Sequence, residues 1–182
     1  MRVLLHTCCA PCATFVVKAL REEGYEPVLY FFNPNIHPFS EFLQREEAVR
    51  IFAEREKLEV IYEPYNLRQF LREVVFREEN RCPICYFLRL NATAQFAREK
   101  DFPFFTTTLL LSPYQKQEVI RQIGEELEKE TGVRFLYRDF RPGYYESIKL
   151  SKEMGLYRQK YCGCIYSEEE ALRQRMEKKK GG

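Results

Sequence analysis

A short apolar run ending in a turn, followed by a helical periodicity and then another apolar run, most constrains what this chain can fold into. Val3, Leu4 and Leu5 read as a buried strand. Pro11 falls in the first turn of a helix, where its missing amide hydrogen costs nothing. Ala13, Val16, Val17 and Leu20 then recur at helical spacing, and Gly24 supplies the stop. Residues 28–32 form a second strand, and Asn33-Pro34-Asn35 with His37-Pro38 make a stiff, irregular loop. Ser40 is placed to cap a second helix with a core stripe of Phe42, Val49, Phe52 and Ala53, and residues 58–62 form a third strand. Strand, helix, strand, helix, strand with short connections implies parallel pairing and right-handed crossovers. The expectation is an α/β, parallel-sheet, three-layer sandwich whose ligand site lies at the carboxyl ends of the strands.

The second half of the chain reads as more helical. Leu67, Phe70, Leu71, Val74 and Val75 mark a helix before Arg81, and another opens near Cys82 and runs towards Arg98. Residues 102–107 read as a fourth strand. Ser112-Pro113-Tyr114-Gln115 has the form of a helix start, with Val119, Ile120, Ile123 and Leu127 as its buried face and Gly132 as its end. A last strand is expected at residues 135–137, then a turn at Arg141-Pro142-Gly143, a short helix ending near Gly155, and a charged helix from about Ser167. With no repeat, linker or low-complexity tract, the 182 residues are expected to form one domain.

Seven cysteines fall into a CCxxC (Cys8, Cys9, Cys12), a CxxC (Cys82, Cys85) and a CxC (Cys162, Cys164). No stretch approaches the roughly 20 consecutive apolar residues of a membrane span, and the N-terminus lacks a signal-peptide pattern. A cytoplasmic location with no membrane partner is therefore expected. There, clustered cysteines more often bind metal or do redox chemistry than form structural disulfides. Cys8 and Cys9 lie between a strand and a helix N-terminus, where free amides and the helix dipole favour thiolate. Cys82 and Cys85 open a helix in the same way. Two thiolates from each place make four, the number that a 4Fe–4S cluster needs. Structural zinc accepts the same set, so the residues leave both metals open. Gly163 allows the tight backbone that brings Cys162 and Cys164 together as a strained, reducible pair. The alternative is that both ligate a second metal beside the cluster. Cys12 is left over, as a core thiol or a further ligand.

The remaining polar candidates are few. His6 lies in an apolar strand and reads as a satisfied core or supporting histidine. His37, in the NPNIHP loop, is placed for a substrate contact. Asp139 has two readings: a proton donor or metal ligand, or the partner of Arg138 or Arg141. A net charge of +2 announces no nucleic-acid binder, although the C-terminal tail RQRMEKKKGG is basic. Tyrosines interleaved with Arg, Lys and Gln around residues 137–145 and 157–161 have the composition used to stack exposed bases in single-stranded RNA.

Taken together, HTCCAPC (residues 6–12), NPNIHP (33–38), RCPICYFLRL (81–90), SPYQ (112–115), DFRPGYYES (139–147) and YRQKYCGC (157–164) resemble the cobalamin-independent epoxyqueuosine reductases of the QueH type over nearly the whole chain. The resemblance implies reductive removal of the epoxide oxygen of epoxyqueuosine at the wobble position of tRNA, the last step of queuosine synthesis. It implies a 4Fe–4S cluster on Cys8, Cys9, Cys82 and Cys85, a redox-active Cys162–Cys164 pair, and an adjacent mononuclear iron as another possibility. His37, Tyr86, Ser112, Tyr114, Gln115 and Arg141 are the candidate substrate contacts, and Asp139 or a tyrosine the candidate acid for the leaving oxygen. The tRNA anticodon stem-loop and an unidentified electron donor are the implied partners. The opening half also resembles the adenine-nucleotide α-hydrolase-like fold of PP-loop enzymes. HTCCAPC stands where those have a glycine-rich phosphate loop, so the fold is expected without ATP use. Two rival readings are a cluster-dependent tRNA sulfur-transfer enzyme, which needs the missing phosphate loop, and a zinc-bound RNA-binding domain.

Overall fold

The computed structural model of the chain describes residues 1–180. The expected basic tail is thus described except for Gly181 and Gly182, which lie outside the described residues. Five strands, β1 (Arg2–His6), β2 (Glu26–Phe31), β3 (Val60–Tyr62), β4 (Phe104–Thr107) and β5 (Arg134–Phe135), form one sheet in the order β3-β2-β1-β4-β5. Every pairing is parallel, with Leu4 opposite both Val28 and Phe105. The central strand β1 is buried on both faces, and Val3, Leu4 and Leu5 are wholly inaccessible. Burying each such side chain contributes roughly 1.5–3 kcal/mol.

Helices α1 (Ala10–Glu22), α2 (Phe39–Glu56), α3 (Leu67–Val74), α4 (Arg81–Glu99), α5 (Gln117–Thr131), α6 (Tyr144–Glu153) and α7 (Ile165–Lys180) complete the fold. α1 packs with α2 and α6, while α4 packs with α5 and against β1 and β4. The sheet is therefore sandwiched between helical layers, and the C-terminal half is mostly helical, as the alternation of apolar runs predicts. No described helix is long and apolar enough to cross a membrane.

The chain winds from β1 outward to β3, then returns past β1 to β4 and β5, so the strand order reverses between β1 and β4. A crevice opens at the carboxyl ends of such a strand pair. The turn after β1, with Cys8 and Cys9, emerges there beside Thr108, the residue following β4.

Several boundaries differ from the sequence expectation. Ser40 does not cap α2; the helix starts at Phe39 after an extended Pro38. Ser112-Pro113-Tyr114-Gln115 is a turn rather than a helix start. The Ser112 carbonyl accepts the Gln115 amide (3.2 Å) and the Gln117 side chain (3.1 Å), and α5 begins only at Gln117. β5 is shorter and lies one residue earlier than expected. α7 starts at Ile165 because the Cys164 sulfur and the Ser167 hydroxyl cap it, accepting the Ser167 and Gly163 amides respectively. Gly132 does end α5, in the left-handed conformation (φ 75°).

Candidate metal centre

Cys9 is the N-cap of α1, in extended conformation, and Cys12 sits one turn into the helix. The Cys8 amide donates to the Thr108 hydroxyl (3.1 Å), and that hydroxyl points back to the Cys8 sulfur (3.3 Å). Cys8 and Cys9 Sγ are 3.7 Å apart, and the three sulfurs of Cys8, Cys9 and Cys12 lie within 4.8 Å of one another. Cys12, the residue without a role in the sequence, thus joins the other two. Hydrogen bonds from Cys12 and Cys9 hold the Cys8 thiol well below its ordinary range. Burial pushes Cys9 up, and hydrogen bonding to Cys8 holds Cys12 well above its usual value. One proton leaves this triplet easily; the others would leave only where a metal took the sulfurs as ligands.

The other four cysteines meet at a second place. Cys82 and Cys85 lie in the first turns of α4, and Cys162 and Cys164 in the loop that leads into α7. All four line one cavity of about 190 Å³ with Arg89, Tyr114 and Gln115. Burial raises the Cys82 thiol and pushes Cys85 up to about 12. All seven cysteines are free, with Cys162 exposed and Cys85 and Cys164 buried. The N-termini of α1, α4 and α7 each carry site cysteines, so three helix dipoles favour negative charge on sulfur.

The CGC loop is held from α2 and from the NPNIHP loop. Buried Arg45 donates from Nη1 to the Cys162 carbonyl (2.8 Å), from Nη2 to the Tyr161 carbonyl (3.0 Å) and from Nε to Glu41 (2.8 Å). Tyr157 donates to the other Glu41 oxygen at 2.6 Å. His37 contributes four contacts. Its amide donates to the Gly163 carbonyl (2.8 Å), its carbonyl accepts the Tyr161 hydroxyl, its Nε2–H donates to the Pro34 carbonyl (3.2 Å), and its Nδ1 accepts the Ile165 amide (3.1 Å). Gly163 has φ 154°, and a Cβ there would lie 3.0 Å from Asn35 Nδ2. Glycine is therefore required between the two cysteines.

Arg89 links the two thiol groups. It is 1% exposed, donates from Nε to the Cys85 carbonyl (3.2 Å), and lies within electrostatic reach of Cys85, Cys162 and Cys8. Among the described residues its Nη2 meets no partner, and the same is true of buried Asn35 Oδ1, Arg81 Nε and Gln159 Oε1. Asn35 and Arg81 line the cavity with Arg89, and Gln159 Nε2 donates to Cys9 Sγ (2.9 Å). Buried polar groups are normally paired. The two unpaired donors among them, Arg89 Nη2 and Arg81 Nε, both on the wall of the thiol cavity, fit a bound anionic group such as a thiolate-ligated metal cluster, while the two amide oxygens are left for donors.

The remaining expected site residues fall into different places. Tyr86 is buried with its hydroxyl pushed up to about 12 by desolvation. It accepts the Lys116 amide (3.2 Å) and donates to Gln115 Oε1 (2.7 Å), and Gln115 Nε2 points to Cys162 Sγ (3.4 Å). Tyr86 and Gln115 thus form a hydrogen-bonded arm that ends on the exposed Cys162 sulfur. Tyr114 is exposed at the cavity rim, while the Ser112 hydroxyl accepts the Tyr114 amide (3.3 Å) and shapes the turn. His37, expected at the substrate, is buried with both ring nitrogens committed to the backbone. Asp139 receives the Arg141 guanidinium in a bidentate pair (2.7 and 2.6 Å) on the surface, which holds its carboxyl below the ordinary range. The pairing of Asp139 with Arg141, one of the two expected readings, is thus present in the structure, and it occupies Arg141 as well. His6 is satisfied in the core: Nε2–H donates to the Phe32 carbonyl (3.3 Å) and Nδ1 accepts the Thr107 hydroxyl (2.9 Å). Burial lowers its pKa to about 3.

Sequence reasoning missed Arg45, Arg89, Glu41 and Gln159. A signal was present for the two arginines. Arg45 falls on the apolar stripe of α2 between Phe42 and Val49, and Arg89 on that of α4 between Tyr86 and Thr93. An arginine at a core position of a helix is retained there by something it binds.

The profile of the family described as "Epoxyqueuosine reductase QueH" matches residues 3–170. Among curated relatives, a protein named epoxyqueuosine reductase QueH from Dehalococcoides mccartyi is 42% identical over 170 residues, covering 93% of each chain. One of the same name from Thermotoga maritima is 39% identical, covering 91% of this chain and 89% of its own. The fold itself is similar to that of a predicted subunit of tRNA methyltransferase from Methanocaldococcus jannaschii. That solved structure has a TM-score of 0.58 at 14% identity and matches 84% of this chain and 75% of its own. The chain belongs to the epoxyqueuosine reductase QueH family, a family of oxidoreductases.

Proposed function

From that membership we propose that residues 1–182 are a single iron–sulfur α/β domain that reduces epoxyqueuosine to queuosine at the wobble position of tRNA, in the cytoplasm and without cobalamin or ATP. The observation that carries this reading is the placement of two groups of free thiols, Cys8, Cys9 and Cys12 after β1 and Cys82, Cys85, Cys162 and Cys164 around one cavity, with buried Arg89 in electrostatic reach of both. Cys8 and Cys9 from α1 with Cys82 and Cys85 from α4 are the proposed cluster ligands. Arg89, in electrostatic reach of both groups, offsets the charge of that anionic assembly. When bound, a 4Fe–4S cluster supplies single electrons at low potential.

Removing the epoxide oxygen consumes two electrons and two protons and leaves an alkene and water. Cys162 and Cys164 together supply that number: two thiols going to one disulfide release two electrons and two protons. The electron donor then returns the pair to thiols. Arg45 and His37 hold the loop so that Cys162 faces the cavity, and the Tyr86–Gln115 arm fixes its sulfur. The alternative, a mononuclear iron bound at Cys162 and Cys164, places a Lewis acid at the same spot. Metal content separates the two arrangements.

The test is nucleoside analysis of tRNA from a strain lacking the gene. Epoxyqueuosine accumulates and queuosine disappears if the reading holds, and the plasmid-borne gene reverses both. Unchanged queuosine in a strain with no other epoxyqueuosine reductase overturns it.

A further inference from the structure

Three tyrosines stand in a row beside the thiol site. Tyr114 and Tyr144 meet edge to face with ring centres 6.1 Å apart, and Tyr144 meets Tyr145 in the same manner at 5.6 Å. Tyr114 and Tyr145 are each 81% exposed. The hydroxyls of Tyr65, Tyr86, Tyr157 and Tyr161 all donate to partners inside the fold, whereas those of the row make no hydrogen bond among the described residues. Packing does not account for two rings so displayed.

The row has a fixed position. Tyr114 is on the rim of the cavity lined by Cys82, Cys85, Cys162 and Cys164. Tyr144 lies within electrostatic reach of Cys12 and Arg158. The row therefore spans from one thiol group to the other. Its base is rigid: Gly143 approaches the Phe15 ring of α1 so closely that a Cβ would lie 2.1 Å from it, and Tyr144 begins α6 directly after. Two cations flank the row, Lys116 on the cavity wall and Arg158 beside Tyr144, and neither is in an ion pair among the described residues.

Exposed aromatic faces in series with free cations alongside are the recognition chemistry of unpaired nucleotides: bases stack on the rings and phosphates take the charges. We propose that Tyr114, Tyr144 and Tyr145 form a stacking platform for unpaired anticodon-loop nucleotides next to the modified base, which enters the cavity past Tyr114. This inference rests on the reductase reading for its choice of RNA. The platform supplies binding energy away from the reacting atoms, and its loss appears in affinity and KM before kcat.

The test uses the full chain, reconstituted anaerobically, and a synthetic anticodon stem-loop RNA with 2-aminopurine 3′ to the wobble position. Y114A and Y145A each weaken binding by about tenfold, as expected for loss of one base–aromatic stack, and reduce the 2-aminopurine quenching. Y114F and Y145F restore both. Thermal melts confirm that the variants fold, which the exposure of both rings favours. Unchanged affinity and quenching in the two alanine variants overturn the platform, even if the wild-type protein reduces epoxyqueuosine. Slower reduction with the natural electron donor at unaltered RNA affinity overturns it as well and assigns the row to donor docking. Failure of the wild-type protein to reduce epoxyqueuosine in tRNA counts against the reductase reading alone, since the binding arm needs no turnover.

Discussion

Arg45 is the most informative residue to change. Its side chain is 1% exposed, it pairs with Glu41, itself only 8% exposed, and it holds the carbonyls of both Tyr161 and Cys162. Arg45→Met removes the cation and leaves the Glu41 carboxylate buried with Tyr157 as its remaining donor. Breaking one side of a buried pair costs about 3–5 kcal/mol, and the two lost carbonyl contacts fall inside that range because the loop relaxes into water. Against a total stability of roughly 5–15 kcal/mol this is a large fraction. For a domain of this size it lowers Tm by about 6–20 °C. Differential scanning calorimetry of the wild type, Arg45→Met, Glu41→Gln and the double variant closes a double-mutant cycle. The double variant is expected to be more stable than Arg45→Met, because it no longer buries an unpaired charge. Arg45→Lys keeps the charge but not the fork, so it restores part of the stability while Cys162 stays mispositioned and turnover stays low. A Tm for Arg45→Met within a degree or two of the wild type refutes the assignment of Arg45 as the anchor of the CGC loop.

Other outcomes follow from the same geometry. Cys162→Ser and Cys164→Ser are expected to keep the iron–sulfur absorbance while turnover falls to background; full activity in both sinks the dithiol role. Gly163→Ala forces a side chain into a glycine-only conformation against Asn35, at a cost on the order of 1–3 kcal/mol. Its expected signature is faster Cys162 alkylation, read by mass spectrometry. Tyr86→Phe strands the Lys116 amide and frees Gln115. A stability loss of about 1–3 kcal/mol in urea titrations, with kcat reduced, checks it. Arg89→Met is expected to shift the cluster potential to more negative values, because a buried cation that favours the reduced state is gone. Redox titration followed by EPR reads the shift, and an unchanged potential contradicts the proposed role of Arg89.

The sheet was legible because each strand is a short apolar run followed by helical periodicity, and parallel strands buried on both faces show that pattern most clearly. The cysteine motifs were legible as spacing, and Cys8, Cys9, Cys82 and Cys85 lie at helix N-termini as expected, while the CGC motif adjoins α7 because that helix starts earlier than the sequence suggested. How the sulfurs group was not legible. Cys12 joins Cys8 and Cys9 because Cys9 caps α1 and one helical turn brings residue 12 back to the same end. Cys162 and Cys164 meet Cys82 and Cys85 across about 80 residues of sequence, a contact that only the tertiary fold creates. SPYQ carried the local signature of a helix start but became a turn, since the Gln117 side chain reaches back to the Leu109 and Ser112 carbonyls. Asp139 and His37 stood out as rare residue types, yet one is consumed by a neighbouring arginine and the other by backbone. Arg45 and Arg89 were hidden by being common residues in uncommon places.

The central claim is that these thiols carry out reductive deoxygenation of epoxyqueuosine in tRNA. The most direct measurement is anaerobic incubation of the iron-reconstituted protein with epoxyqueuosine-containing tRNA and a low-potential reductant, followed by mass spectrometry of the digested nucleosides. Loss of epoxyqueuosine matched mole for mole by queuosine, sixteen mass units lighter by the departed oxygen and dependent on Cys162 and Cys164, is the predicted result. Unconverted epoxyqueuosine in the presence of protein with a full iron–sulfur complement contradicts the account.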